Sequence, residues 1–117
     1  MKIGTDIIQV SRIAQALDRH GESFKKRFLN SDEIVLAHKI ESLAGFWAAK
    51  EAISKALGCG IGSRLGFHDI QIFKDPRGAP YFTLSTQAMT LHPIRNSSLS
   101  ISHDGGFAIA TVIIELG

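Results

Sequence analysis

The chain has 117 residues, 44% hydrophobic and 21% charged, with a formal net charge of +2. That is long enough for a real core and too close to neutral to indicate a nucleic-acid partner. The single cysteine, Cys59, excludes an internal disulfide and a thiolate metal site, and it suits a reducing compartment. No apolar run reaches membrane-spanning length, and the opening residues carry no signal-peptide pattern. The expectation is a cytoplasmic, membrane-independent single domain over 1–117.

Residues 2–10 read as a strand of β-branched residues interrupted by Gly4-Thr5-Asp6. Asp6 is an acid inside an apolar strand. It is either a turn aspartate or a group that faces a site and binds a cation or proton. Ser11 can cap a helix over 12–20, closed by Gly21, with Ile13, Ala16 and Leu17 inward and Arg12 and Arg19 two turns apart on one side. Over 22–29, Phe24, Phe28 and Leu29 point in, while Lys25, Lys26 and Arg27 point out. Five basic residues between Arg12 and Arg27 face only Asp18 and Glu22. The excess is either a solvated surface or a dock for an acidic partner. Asn30-Ser31-Asp32-Glu33 has the form of a helix start.

The longest helix is expected over 43–58: it has no proline, it is rich in alanine, and it stops at Gly58-Cys59-Gly60-Ile61-Gly62. At about 100° per residue, Leu43, Phe46, Trp47, Ile53 and Leu57 share an apolar arc. Glu51 and Lys55 lie outside it, one turn apart, among alanines that leave space for something to approach. The plain reading of Glu51 and Lys55 is an exposed i,i+4 ion pair. Lys50 falls inside the apolar arc and must either snorkel or meet an anion. Beyond Gly62 the period becomes strand-like. Residues 67–73 and 80–84 make a hairpin about Asp75-Pro76-Arg77-Gly78, 85–91 a short helix, and 98–103 and 107–116 two strands about Asp104-Gly105-Gly106. His103 sits at the lip of that turn. The fold class is α+β, with a mainly antiparallel sheet on a long central helix, and the edges of so small a sheet invite self-association.

Asp6 and Glu51 are the two acids in apolar or small-residue settings. Brought together, they would form an all-oxygen site suited to Mg²⁺, which takes one or two carboxylates plus substrate phosphate oxygens. Lys55, with Lys50 and His103, would balance a pyrophosphate, and the glycine run from Gly58 could present backbone amides to a phosphate, although a flexible helix exit is the more frequent reason for such glycines.

Gly4-Thr5-Asp6-Ile7-Ile8 with Arg12-Ile13, then Trp47-Ala48-Ala49-Lys50-Glu51-Ala52 with Lys55-Ala56-Leu57-Gly58, then Ser102-His103, resembles the short bacterial 4′-phosphopantetheinyl transferases, the holo-(acyl-carrier-protein) synthase family. The resemblance implies an α+β phosphopantetheinyl-transferase fold. It implies transfer of phosphopantetheine from coenzyme A to a serine of apo acyl carrier protein, with release of adenosine 3′,5′-bisphosphate, in support of fatty acid biosynthesis. Asp6 and Glu51 match the Mg²⁺ ligands, Lys55 the lysine near the pyrophosphate, and His103 a histidine that reaches the nucleotide. The basic surface of Arg12, Arg19, Lys25 and Arg27 would receive the carrier, and the assembly would be a homotrimer with active sites between subunits.

The chain departs from the family at Phe46, where many members carry an arginine that contacts a coenzyme A phosphate. Lys39 with His103 is expected to hold the 3′-phosphate instead, with His38 and Lys50 as lesser candidates. Two other readings share these residues: a Mg²⁺-dependent nucleotide pyrophosphatase, and a non-catalytic module that binds acidic proteins.

Overall fold

The computed structural model describes residues 1–117. Strand β1 (Lys2–Gln9) leads into helices α1 (Val10–His20), α2 (Glu22–Phe28), α3 (Ser31–Leu36) and α4 (Ile40–Ala56). A 3₁₀ turn at Phe67–Asp69 precedes the hairpin β2 (Ile70–Lys74) and β3 (Pro80–Leu84). Then come α5 (Thr86–Leu91), β4 (Ile94–Asp104) and β5 (Phe107–Leu116). The α+β class is as the sequence implies. The strands form two sheets, however: an antiparallel β1-β5-β4 sheet and a separate β2-β3 ribbon.

Helix α1 begins two residues before the expected start. Gln9, in extended conformation, holds the N-cap position that Ser11 was expected to fill, and no side chain caps it. The Val10 amide instead donates to Gly106 O in the β4–β5 turn at 2.8 Å, which ties the helix start to the end of the sheet. At the other end Gly21 turns the chain with φ +61°, a left-handed conformation that a residue with a Cβ adopts only at a cost. Helix α3 starts as its sequence indicates: Asn30 is the N-cap residue, and its backbone amide donates to Glu33 Oε1 at 2.7 Å.

Helix α4 is about 25 Å long at 1.5 Å per residue and is covered on most of its circumference. Its small residues meet the sheet. A Cβ on Gly4 of β1 would collide with the backbone of Ala52 and Ala56, and one on Gly45 would lie 2.7 Å from Ile101 Cγ2 of β4. The open face of methyl groups seen in the sequence is therefore occupied by strands. The opposite flank of α4 carries an aromatic cluster. Trp47 lies 4.9 Å from Phe67, 5.1 Å from Phe28 and 5.9 Å from Phe24, centroid to centroid. These rings pack α2 and the 3₁₀ turn onto the helix.

In the sheet, Asp6, Ala110 and Ile101 form one row across the strands, and Ile8, Ala108 and His103 the next. Alternation turns Gly4, Ile8, Ala108, Ala110, Val112 and Ile114 inward. The other face presents Ile3, Ile7, Phe107, Ile109 and Ile113 to solvent, with Ile3 70% and Ile7 59% exposed. No helix is long and apolar enough to cross a membrane.

Candidate active site

The site is built where the middle of β1 passes the C-terminal half of α4. Gly4 allows strand and helix to touch, and that contact places Asp6 beside the helix turn of Glu51 and Lys55. Lys55 Nζ donates to Asp6 Oδ1 at 2.8 Å and to Thr5 O at 3.2 Å. The lysine therefore reaches across 49 residues to the strand instead of making the i,i+4 pair with Glu51. Its hydrogen bond to Asp6 holds the ammonium above its ordinary pKa, against desolvation and with help from the charges of Asp6 and Glu51. Burial pushes the Glu51 carboxyl above the usual carboxylate range, the Asp6 charge adds to it, and Lys55 opposes it. Two converging acids of like charge, one disfavoured in its ionised form, suit an added cation.

The donor set fits Mg²⁺. It is all oxygen and offers two carboxylates, and no cluster of three or more metal-ligating side chains exists to complete a shell from protein alone. The remaining positions would fall to water and substrate oxygens, as this ion prefers.

A second concavity lies on the other flank of α4. It has a volume of about 180 Å³ and is lined by Glu41, Ser42, Phe46, Lys74, Gly78, Pro80, Ile101 and His103. Phe46 is 1% exposed, as its place on the apolar arc implied, and Lys74 Nζ stands 5.9 Å from its ring centroid. That is cation–π range. Lys39 does not line this pocket. It is the exposed N-cap residue of α4, and the cation that lines the pocket beside His103 is Lys74, at the end of β2. The sequence held a signal for Lys74, a lysine directly before the Asp75-Pro76-Arg77-Gly78 turn. Only the path of the hairpin brings it over Phe46.

Two further expectations are corrected. Lys50 neither snorkels nor is available to a phosphate. It is fully buried, and its Nζ donates to Glu33 Oε1 at 2.8 Å, Phe28 O at 2.7 Å and Phe67 O at 2.9 Å, which engages all three of its protons. Burial lowers its pKa, and the hydrogen bond and charge of Glu33 oppose the shift. Gly58 offers no amide either. Its N–H donates to Lys55 O, and those of Cys59 and Gly60 both donate to Ser54 O, so the run closes the end of α4. Its φ of +78° explains the glycine.

On α1, Arg12 and Arg19 line one shallow groove with Gln15, Ala16 and His20, on the common side that their spacing indicated. Arg27 is exposed, but Lys25 is half-buried and paired with Glu22 at 3.1 Å, which leaves it less free than its neighbours.

A family model for the 4′-phosphopantetheinyl transferase superfamily matches residues 2–112. With the α+β architecture and the two acids beside a lysine, this sets the class: the chain belongs to the 4′-phosphopantetheinyl transferase superfamily. Within it the relatives are specific. The holo-(acyl-carrier-protein) synthase of Sulfurovum sp. is 62% identical over 98% of this chain and 97% of its own, and that of Wolinella succinogenes is 52% identical over 97% and 96%. The crystal structure of the Helicobacter pylori holo-(acyl-carrier-protein) synthase in complex with coenzyme A is 50% identical and superposes with a TM-score of 0.93, covering 97% of this chain and 99% of that one. The chain is thus an enzyme of the holo-(acyl-carrier-protein) synthase family.

Proposed function

We propose that this enzyme transfers the 4′-phosphopantetheine arm of coenzyme A to a serine of apo acyl carrier protein, with Mg²⁺ held by Asp6 and Glu51, and so supports fatty acid synthesis in the cytoplasm. The observation that carries the reading is the convergence of Asp6, Glu51 and Lys55 in a chain whose close relatives are named as this synthase. When bound, the metal would neutralise charge on the pyrophosphate. Lys55, held charged by Asp6, would stabilise the departing phosphate of adenosine 3′,5′-bisphosphate or donate a proton to it. Intact mass of apo acyl carrier protein after incubation with the enzyme, coenzyme A and Mg²⁺ tests the reading. A gain of one phosphopantetheine is expected. Coenzyme A cleavage without that gain would point to a pyrophosphatase.

The nucleotide end of coenzyme A fits the Lys74–His103 pocket. This pocket and the acid site lie on opposite flanks of α4, beside the two edge strands β4 and β1 of the sheet. A ligand that used both would take them from two copies of the chain, in keeping with the homotrimer with shared sites that the family resemblance implies. The apolar outer face of β1 and β5 is a surface for that association.

Two predictions follow from these placements. Lys74→Ala should raise the KM for coenzyme A about tenfold, the loss of one charged hydrogen bond, and change that for dephospho-coenzyme A much less. An unchanged kcat/KM ratio of the two substrates would remove Lys74 from the 3′-phosphate. Arg12→Glu with Arg19→Glu should raise the KM for the carrier severalfold and steepen no salt dependence, because the reversed charges no longer steer an acidic surface. A carrier KM that stays flat, in the variant and across a salt titration of the parent, would move the docking surface elsewhere.

A further inference from the structure

The β2–β3 ribbon that brings Lys74, Gly78 and Pro80 to the nucleotide pocket is attached to the rest of the protein in an unusual way. No backbone–backbone hydrogen bond joins it to α4 or to the three-stranded sheet. Its polar ties are side-chain bonds and lie along β2 and the turn before it. Glu33 Oε2 accepts from the Ile72 amide at 2.8 Å, on the strand's free edge. Asn30 Nδ2 donates to Gln71 Oε1 at 2.7 Å. Lys50 Nζ donates to Phe67 O at 2.9 Å, and His68 Nε2 lies 2.7 Å from Lys26 O.

Glu33 and Lys50 sit at the centre of this arrangement. Both side chains are fully buried. Besides Ile72, Glu33 accepts from the Asn30 amide and from Lys50, so its two oxygens link the start of α3, the edge of β2 and the middle of α4. Lys50 adds the end of α2 and the 3₁₀ turn. A buried ion pair gains little net stability over apolar residues of similar volume, since desolvation offsets the attraction. What such a pair does impose is direction: each of its bonds holds one backbone segment at one place. Apolar contacts between ribbon and helix would tolerate sliding.

We propose that Glu33 and Lys50 are positioning residues for nucleotide recognition, holding the β2–β3 ribbon at the height along α4 where Lys74 and Gly78 close the pocket over Phe46. The proposal rests on the transferase reading for the identity of the nucleotide. It adds that the pair acts on how tightly the substrate is held. The acid site on the far flank of α4 keeps its own geometry, because its contacts run through Gly4 and β1.

Two variants of the full chain separate this role from core filling. In Glu33→Gln the carboxamide keeps its oxygen towards Lys50 and the Asn30 amide and turns an NH₂ onto the Ile72 N–H, which releases the ribbon selectively. In Glu33→Leu/Lys50→Met the whole pair is replaced by apolar volume. Hydrogen exchange in residues 70–84 should quicken in both variants while β1, β5 and α4 stay as in the parent. The KM for coenzyme A should rise about tenfold, the effect of one lost charged contact, with kcat within a few-fold. The KM for dephospho-coenzyme A should move less. Exchange in 70–84 that matches the parent in a folded variant overturns the proposal. So does a fall in kcat at unchanged KM, which would mean that the pair acts on Glu51.

If both variants fail to fold, the parent alone decides. Saturating adenosine 3′,5′-bisphosphate should slow exchange at Ile72 and in residues 28–33 together with the ribbon tip, and protection confined to residues 74–80 refutes the coupling. A parent that binds the bisphosphate with this pattern but transfers nothing to the carrier would refute the transferase reading and leave the pair's role standing.

Discussion

Asp6→Asn and Glu51→Gln are each expected to lower transfer activity on the order of a hundredfold or more at saturating Mg²⁺, because even outer partners of a bound metal carry ten- to hundredfold effects. The fold should survive both changes. Asp6 is paired with a lysine that is half exposed, and such a pair contributes little to stability. Glu51→Gln should in fact melt at a higher temperature than the parent when metal is absent at neutral pH. Burial and the Asp6 charge raise the folded-state pKa of Glu51 above its unfolded value. Between those two values the native state binds more protons than the unfolded one, so stability falls as pH rises through the window. Above that window the parent carries the penalty in full, and the amide does not. Added Mg²⁺ should raise the melting temperature of the parent, since a ligand of the native state stabilises it by mass action, and should have little effect on either variant. Activity within a few-fold of the parent in both variants, or equal Mg²⁺ stabilisation of all three proteins, would sink the metal assignment.

The second large effect is expected at the outer face of the sheet. Ile7 and Ile109 face each other across β1 and β5, 59% and 42% exposed in the single chain. Ile109→Glu places a carboxylate in the centre of the apolar strip. In one chain that side chain is bathed in water, so the fold should be unaffected. In an assembly that covers the strip it would be a buried, unpaired charge, at a cost of several kcal/mol or more for each subunit. Light scattering should therefore report a trimer for the parent and a monomer for the variant at micromolar concentration. Activity should fall with assembly, because the acid site of β1 and the nucleotide pocket beside β4 would no longer share a cleft. A parent that is monomeric while active, or a monomeric variant with full activity, would remove the shared-site model.

Such a stabilised Glu51→Gln variant without activity would also show what the site costs the fold. Two acids converge on a short stretch of strand and helix, and one of them is held in an unfavourable charge state. A chain selected for stability alone would place one apolar residue there. The buried Glu33–Lys50 pair differs in that its charges are opposite and every donor and acceptor it offers is engaged. Disturbing it should therefore register first in the ribbon and the nucleotide, and only afterwards in the chemistry at Asp6.

Most elements of this protein were legible in the sequence. Glycines closed α1 and α4, Asn30 with the acids after it opened α3, and the alternation of 98–103 and 107–116 marked the last two strands, because caps and periodicities are satisfied within a few residues of chain. The acids Asp6 and Glu51 stood out for the same local reason, as charges in apolar or small-residue surroundings. Tertiary structure decided which partner each charged group meets. Lys55 turned from Glu51, one helical turn away, to Asp6, because Gly4 lets β1 touch the helix and brings a second carboxylate within 2.8 Å. Lys50 had either to reach the surface or to meet an anion, and it meets Glu33. It is buried because Glu33 and two carbonyls arrive from α2, α3 and the 3₁₀ turn. Lys74 lines the pocket beside His103, and Lys39 does not, because the ribbon folds back over Phe46. An ion pair or a pocket between distant residues depends on where the intervening chain travels, and hydrophobic period and capping chemistry carry no information about that path.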